Sequence, residues 1–221
     1  MRYTHLLFDH DGVLVNTEPL YLQAIQEQLA TLGIALRATD YIQNMAVGAD
    51  PWALARAAGC DEAMVDQLRD ARDARYQQLL RTRPITIEGV DGIIAELAEH
   101  FQLAIVTTSR DVDFDLIHAL DGQPRTSTTP DVVRHMDFVL KRSYYQNSKP
   151  DPPPYLLALS RFGTESSQAL VIEDSERGLR SAVAAGIDCA AIYHPFTARQ
   201  RFAKARYRFA DLGELKQFLL G

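Results

Sequence analysis

Phe8-Asp9-His10-Asp11-Gly12-Val13-Leu14-Val15-Asn16-Thr17-Glu18, FDHDGVLVNTE, is the stretch whose reading decides the fold. Together with the preceding Thr4-His5-Leu6-Leu7, its Phe8 completes a short apolar run that reads as a strand. Two carboxylates one residue apart, Asp9 and Asp11, follow at once, and then Gly12. In an extended backbone, side chains at i and i+2 point to the same side. The pair is therefore expected to project into one small volume at the carboxyl end of a strand. Like charges that close repel, and burying them is costly unless something compensates. A hard divalent cation compensates, and Mg²⁺ takes carboxylates together with a substrate phosphate. A solvated Asp-x-Asp-Gly turn satisfies the same four residues, so the rest of the chain decides between the two.

Length and composition set the frame. The chain has 221 residues, 47% hydrophobic and 24% charged, enough for one large domain or a domain carrying an insertion. Its net charge of −6 argues against nucleic acid and anionic membrane partners. No apolar run approaches the length of a membrane span, and the first residues enter a strand without a basic segment and apolar leader. Cys60 and Cys189 have neither metal-ligand nor redox spacing and read as free thiols, so a cytoplasmic setting is expected.

From Thr17 onward the pattern is helical. Pro19 suits a first turn after a Thr17 N-cap, and Leu20, Ala24, Ile25, Gln28, Leu29 and Leu32 form a stripe that Gly33 ends. Further helices are expected over Tyr41–Met45, over Pro51–Ala58 and from Asp61. In the last, arginines 69, 72 and 75 alternate with aspartates 66, 70 and 73, a solvated face of paired charges and not a nucleic-acid patch. Residues 17–85 thus read as an all-helical domain inserted after the first strand, with residues 1–16 and 86–221 as the core domain.

The second part alternates. Helices are expected from Asp91 and Asp111, over Pro152–Arg161, from Glu176, near Thr197 and near Leu212. Between them, strands are expected at Gln102–Thr107, Phe138–Leu140, Ala169–Ile172 and Cys189–Tyr193. Such alternation predicts a Rossmann-like parallel α/β sheet with helices on both faces, and ligands bind at the carboxyl ends of its strands. Asp9 with Asp11, Thr107, and Glu173 with Asp174 each follow one of these strands. The helical block is placed to act as a cap that closes over a substrate. A polar stretch between Asp121 and His135 is long for such a unit and reads as an insertion, a lid or a loop.

In this order the pieces resemble the haloacid dehalogenase-like hydrolase superfamily, most closely its small-helical-cap members, the phosphoglycolate-phosphatase and β-phosphoglucomutase-like group. The resemblance covers essentially the whole chain. It rests on FDHDGVLVNTE, on Thr107 in IVTTSR, on Lys149 in SKPDPPPY, and on Glu173-Asp174 in VIEDSERGLRSAVAAG. It implies two-step phosphoryl transfer on a small phosphorylated metabolite. Asp9 is then the nucleophile and Asp11 the general acid and base. Thr107, Thr108 and Lys149 bind the phosphoryl group. Mg²⁺ is held by Asp9, by the Asp11 backbone carbonyl and by Asp174, with Glu173 assisting.

Each of these residues also has a plain structural reading. Thr107 can be a strand-end hydroxyl, Lys149 a loop lysine, and Glu173-Asp174 a solvated helix start. His10 is expected to point away from the aspartates and to pack in the core. Arg110 reads either as a substrate contact or as a cap of the next helix, Ser175 as a cap and Trp52 as a core residue of the helical block. Asp11 favours phosphate esters over carbon–halogen or carbon–phosphorus bonds, because the dehalogenase- and phosphonatase-like members generally lack an aspartate there. Tyr21 and Asp50 stand where the mutases carry a histidine and an arginine. That departure favours a phosphatase over a sugar-phosphate mutase. A non-catalytic binding protein on the same scaffold ranks third, and a monomer or weak homodimer is expected.

Overall fold

A computed structural model describes residues 2–46, 49–120, 122 and 130–221. The chain divides into two compact units, Met1–Asn16 with Ile85–Gly221, and Thr17–Pro84. Most of the polar stretch expected as an insertion, residues 121 and 123–129, lies outside the described residues.

The first unit is built on a six-stranded sheet. Its strands are β1 (His5–Phe8), β2 (Gln102–Val106), β3 (Phe138–Leu140), β4 (Ala169–Glu173), β5 (Asp188–Ile192) and β6 (Tyr207–Phe209). Their order is β3-β2-β1-β4-β5-β6, and every pairing is parallel. The central strand β1 pairs Phe8 with Ile105 on one side and with Ile172 on the other. Its four residues are all buried, as a strand covered on both faces requires.

Alternation along the strands sorts two cores. Leu6, Phe8, Leu103, Ile105, Leu170 and Ile172 face one way, with side chains of α5 (Val90–Ala98) and α9 (Leu212–Leu220). Leu7, Ala104, Val106, Val171 and Cys189 face the other, with α7 (Pro153–Phe162) and α8 (Glu176–Ala184). Helices therefore cover both faces, as expected. A further helix, α6 (Asp111–Ile117), follows β2. Chain order runs outward from β1 in both directions, so the crevice at the carboxyl ends of β1, β2 and β4 is the topological switch point.

One expectation fails, and one element was not foreseen. The helix near Thr197 is a run of turns: Thr197 N bonds His194 O, and Gln200 N bonds Thr197 O. These three-residue closures never reach the i→i+4 pattern of a helix. The edge strand β6 was not foreseen, because it has only three residues and its middle one, Arg208, is exposed.

The second unit contains α1 (Glu18–Ala30), α2 (Ala38–Ala46), α3 (Ala53–Ala57) and α4 (Glu62–Thr82). Leu22, Ile25 and Leu29 of α1 and Val65, Leu79 and Leu80 of α4 are buried, and the two helices lie against each other. Asp61 caps α4 by accepting from Met64 N at 2.8 Å. Arg75 of α4 pairs with Glu27 of α1. Thr17 stands at the N-cap of α1 without a capping side-chain bond. Among the described residues no helix is long and apolar enough to cross a membrane.

Candidate active site

Three strand ends supply the site. Asp9 follows β1, Thr107 follows β2, and Glu173 closes β4 with Asp174 next. A loop between β3 and α7 brings in Lys149. Its Nζ donates to Asp9 Oδ1 at 2.7 Å, to Glu173 Oε1 at 2.7 Å and to the Val106 carbonyl at 2.8 Å. The ammonium thus uses all three of its donors. The side chains of Lys149 and Glu173 are 2% and 0% exposed, and that of Asp9 only 13%. The ring of Tyr155 lies 4.8 Å from Lys149 Nζ, and its hydroxyl donates to Glu173 Oε1 at 2.8 Å.

Asp9, Glu173 and Asp174 each offer a carboxylate oxygen, and these oxygens lie within 4.8 Å of one another. Three buried carboxylates against one buried ammonium leave an excess of negative charge. Burial pushes the Asp9 carboxyl up to about 6, and the Glu173 charge adds to the rise against the pull of Lys149. Burial works against the charge of Lys149, but Asp9 and Glu173 outweigh it and raise its pKa. A divalent cation would relieve this imbalance, so the residues present fit one. Glu173 is otherwise engaged: Oε1 holds Lys149 and Tyr155, and Oε2 accepts from Ser175 Oγ at 2.9 Å. Asp9 and Asp174 are therefore the better first ligands.

Two glycines make the cluster possible. Gly12 has φ +82°, and a Cβ there would lie 2.2 Å from Asp174 Oδ2. A Cβ on Gly178 would lie 1.7 Å from Glu173 Oε1. Ser175 caps α8 by accepting from Gly178 N at 3.1 Å while donating to Glu173, which fixes the acidic pair at the helix start.

Asp11 is placed differently from expectation. The strand ends at Phe8, the chain bends at His10, and Leu14 N turns back to His10 O. The extended-backbone argument for Asp9 and Asp11 therefore does not hold. The Asp11 carboxylate accepts a short hydrogen bond from Ser109 Oγ and is not one of the three clustered acids. It remains close enough to raise the pKa of Asp9. Ser109 also ties down Thr107, whose Oγ1 accepts from Ser109 N and donates to Ser109 Oγ, both at 3.0 Å. The Thr107 carbonyl accepts from the Tyr145 hydroxyl. Thr108 Oγ1 accepts from Arg177 Nη2 at 3.0 Å.

His10 is buried, packs on Phe114 and hydrogen-bonds His118 at 2.9 Å. It is a core residue, as read from sequence, but it does not point away from both aspartates: its Nδ1 lies 3.4 Å from Asp11 Oδ2. Arg110 pairs with Asp113 three residues on. Sequence reasoning missed Ser109, Tyr145 and Tyr155. Ser109 and Tyr155 lay within quoted motifs, IVTTSR and SKPDPPPY, but neither was singled out there.

In the Thr17–Pro84 unit a cavity of about 280 Å³ is lined by Tyr21, Tyr41, Asp50, Trp52, Arg69 and Arg72 among others. Tyr21 and Asp50, which the sequence reading set against the mutases, are both among them.

The lysine-bridged carboxylate cluster thus lies at the switch point of a parallel sheet, where open α/β sheets bind their ligands. The haloacid dehalogenase-like hydrolase model matches residues 6–192, and the chain belongs to that family. It is 28% identical over 225 residues to protein CbbY of Rhodobacter capsulatus, covering 96% of this chain and 95% of that protein. It is 28% identical to the fructose-1-phosphate phosphatase YqaB of Escherichia coli, over 85% of this chain and 95% of the relative. Among solved structures, CbbY from Rhodobacter sphaeroides in complex with xylulose-(1,5)bisphosphate superposes with a TM-score of 0.73 at 26% identity. That match covers 97% of this chain and 96% of the other.

Proposed function

We propose that the protein is a Mg²⁺-dependent phosphatase that hydrolyses a phosphorylated sugar or similar small phosphomonoester through an aspartyl-phosphate on Asp9. The observation that carries this reading is the Lys149 bridge between Asp9 and Glu173. Lys149 engages Asp9 Oδ1, and Oδ2 has no hydrogen-bond partner among the described residues. One carboxylate oxygen is thereby held still and the other is left to attack.

In the first step Asp9 Oδ2 attacks phosphorus, the phosphorus–oxygen bond to the alcohol breaks, and Asp11 gives its proton to the departing oxygen. In the second, water attacks the same phosphorus, Asp11 takes the proton, and Asp9 leaves as a free carboxylate with release of phosphate. Asp11 rests against Ser109, which orients its carboxyl between the two steps. Lys149 and the Thr107 hydroxyl offset the charge of the phosphoryl oxygens, and Thr108 bounds the same pocket. Asp9, Asp174 and the Asp11 backbone carbonyl would hold Mg²⁺, with Glu173 behind them. The cation, when bound, adds positive charge beside the phosphoryl group and lowers the pKa of Asp9.

In this reading residues 17–85 are the helical cap domain and residues 1–16 and 86–221 the hydrolase core domain. Relatives named as phosphatases of phosphorylated sugars, YqaB among them, support this substrate class. The acidic composition and the two free cysteines suit a cytoplasmic enzyme, active as a monomer or weak dimer. The test is a panel of phosphomonoesters with Mg²⁺, read as released phosphate, with chelator and Asp9→Asn as controls. Release that needs both Mg²⁺ and Asp9 supports the reading. An isomerised sugar phosphate without free phosphate would instead make the protein a mutase.

A further inference from the structure

The side-chain donors around Asp9 are almost all committed to the protein itself. Lys149 Nζ donates to Asp9, to Glu173 and to the Val106 carbonyl. The Thr107 hydroxyl donates to Ser109 Oγ, and Ser109 Oγ donates to Asp11. The Tyr145 hydroxyl donates to the Thr107 carbonyl, and the Tyr155 hydroxyl to Glu173. Arg110 donates from Nε and Nη2 to Asp113. A phosphoryl group arriving at Asp9 can recruit one of these donors only by breaking a bond already made.

Arg177 is the exception. It is the second residue of α8, directly after the stretch in which Ser175 fixes the acidic pair. Its side chain spans from the end of β4 to the end of β2, where Nη2 donates to Thr108 Oγ1 at 3.0 Å. Among the described residues it has no carboxylate partner, and it is exposed. A neutral hydroxyl tethers the guanidinium without cancelling its charge. Lys149, by contrast, is shared between two carboxylates. Arg177 also lies close to the groups of the site. Burial raises the Tyr145 hydroxyl to about 12, Asp9 adds to the rise, and Lys149, Arg142 and Arg177 pull against it.

A guanidinium is a planar fork of N–H donors that matches the oxygens of a phosphate in pairs. With one N–H on Thr108, the rest of this fork is left for a ligand.

We propose that Arg177 is a further substrate-binding residue, which donates to the outward oxygens of the phosphoryl group and holds inorganic phosphate after hydrolysis. The proposal rests on the phosphatase reading above and involves the first unit alone. Such a contact is made in ester, transition state and product alike, so it strengthens binding more than it raises kcat.

The test compares Arg177→Ala and Arg177→Lys with Arg180→Ala, which removes an exposed arginine three residues further along α8. Two quantities are read: kcat and KM for the most active ester with Mg²⁺, and the affinity for inorganic phosphate by calorimetry. In Arg177→Ala, KM and the phosphate Kd should both rise about tenfold, the worth of a hydrogen bond to a charged group. Its kcat should stay within about threefold of the parent value. Arg177→Lys keeps the charge without the fork and should recover part of the loss. Arg180→Ala should match the parent protein in all three quantities.

An equal loss in Arg180→Ala would assign the effect to net charge and overturn the proposal. A fall in kcat with KM and phosphate affinity unchanged would make Arg177 only a support for Thr108, and also overturn it. If esters are hydrolysed and Arg177→Ala keeps the parent KM and phosphate affinity, the proposal falls and the phosphatase reading survives. If no ester is hydrolysed but phosphate binding still depends on Arg177, the anion site stands and the phosphatase reading falls.

Discussion

The two units treat charge in opposite ways. Around the end of β1, charge is buried and unbalanced: Asp9, Glu173 and Asp174 face a single ammonium, with Glu173 and Lys149 almost wholly out of solvent. In the helical unit charge is matched and wet. Arg75 and Glu27, for example, pair with side chains 36% and 37% exposed. Buried, unbalanced charge is costly and persists only where surrounding groups fix it, here Tyr155, Ser175, Gly12 and Gly178. Exposed, paired charge is nearly neutral in energy and free to vary. On the proposed reading, the chemistry belongs to the first region.

That contrast is broken or sharpened by a graded series of changes. Asp9→Asn removes the nucleophile while keeping its shape, so kcat should fall by at least about 10⁴-fold, in proportion to other single losses from catalytic groups. Stopped assays against the most active ester check this. Lys149→Met leaves Asp9 and Glu173 buried without their shared cation. Removing one partner of a buried pair costs about 3–5 kcal/mol, which urea unfolding will register. Adding Asp9→Asn to that variant should restore part of the stability, because the two effects share one contact. Gly12→Ala puts a Cβ against Asp174 on a backbone with positive φ. A loss on the order of 1–3 kcal/mol is expected, with weaker Mg²⁺ binding by calorimetry.

Proton linkage gives a fourth test. In the cation-free protein the Asp9 carboxyl is raised to about 6, chiefly by burial and then by Glu173. A carboxyl that binds its proton more tightly when folded stabilises the fold at low pH. Its contribution is therefore full below about pH 4 and lost as pH rises through about 6. The melting temperature without metal should show this decline, and saturating Mg²⁺ should suppress it. The smallest effect is expected in the other unit. Arg75→Ala should alter stability by no more than about 0.5 kcal/mol and leave kcat unchanged. A large effect there would erase the distinction between the two regions.

Much of this was legible in the chain itself. The runs around Leu6-Leu7, Ile105-Val106 and Val171-Ile172 are apolar and bounded by polar turns, so the central strands announced themselves. Strand order then placed Asp9, Thr107 and Glu173 at one crevice. The parts that stayed hidden depend on geometry that no local pattern encodes. β6 is too short and too charged to register, and Pro195 begins turns where a helical composition suggested otherwise. The orientation of Asp11 was lost because the chain bends at His10, between the two aspartates. Ser109 and Tyr155 act through hydrogen bonds to residues 98 and 18 positions away, respectively, and such contacts leave no periodic signal.

The central claim is that Asp9 itself carries the phosphoryl group during turnover. Acid-quenching the enzyme during steady-state hydrolysis and mapping its peptides by mass spectrometry tests this most directly. The account predicts a phosphoryl adduct on the peptide containing Asp9, absent from Asp9→Asn. A phosphoryl group on another residue, or phosphate release by Asp9→Asn at the parent rate, would contradict it.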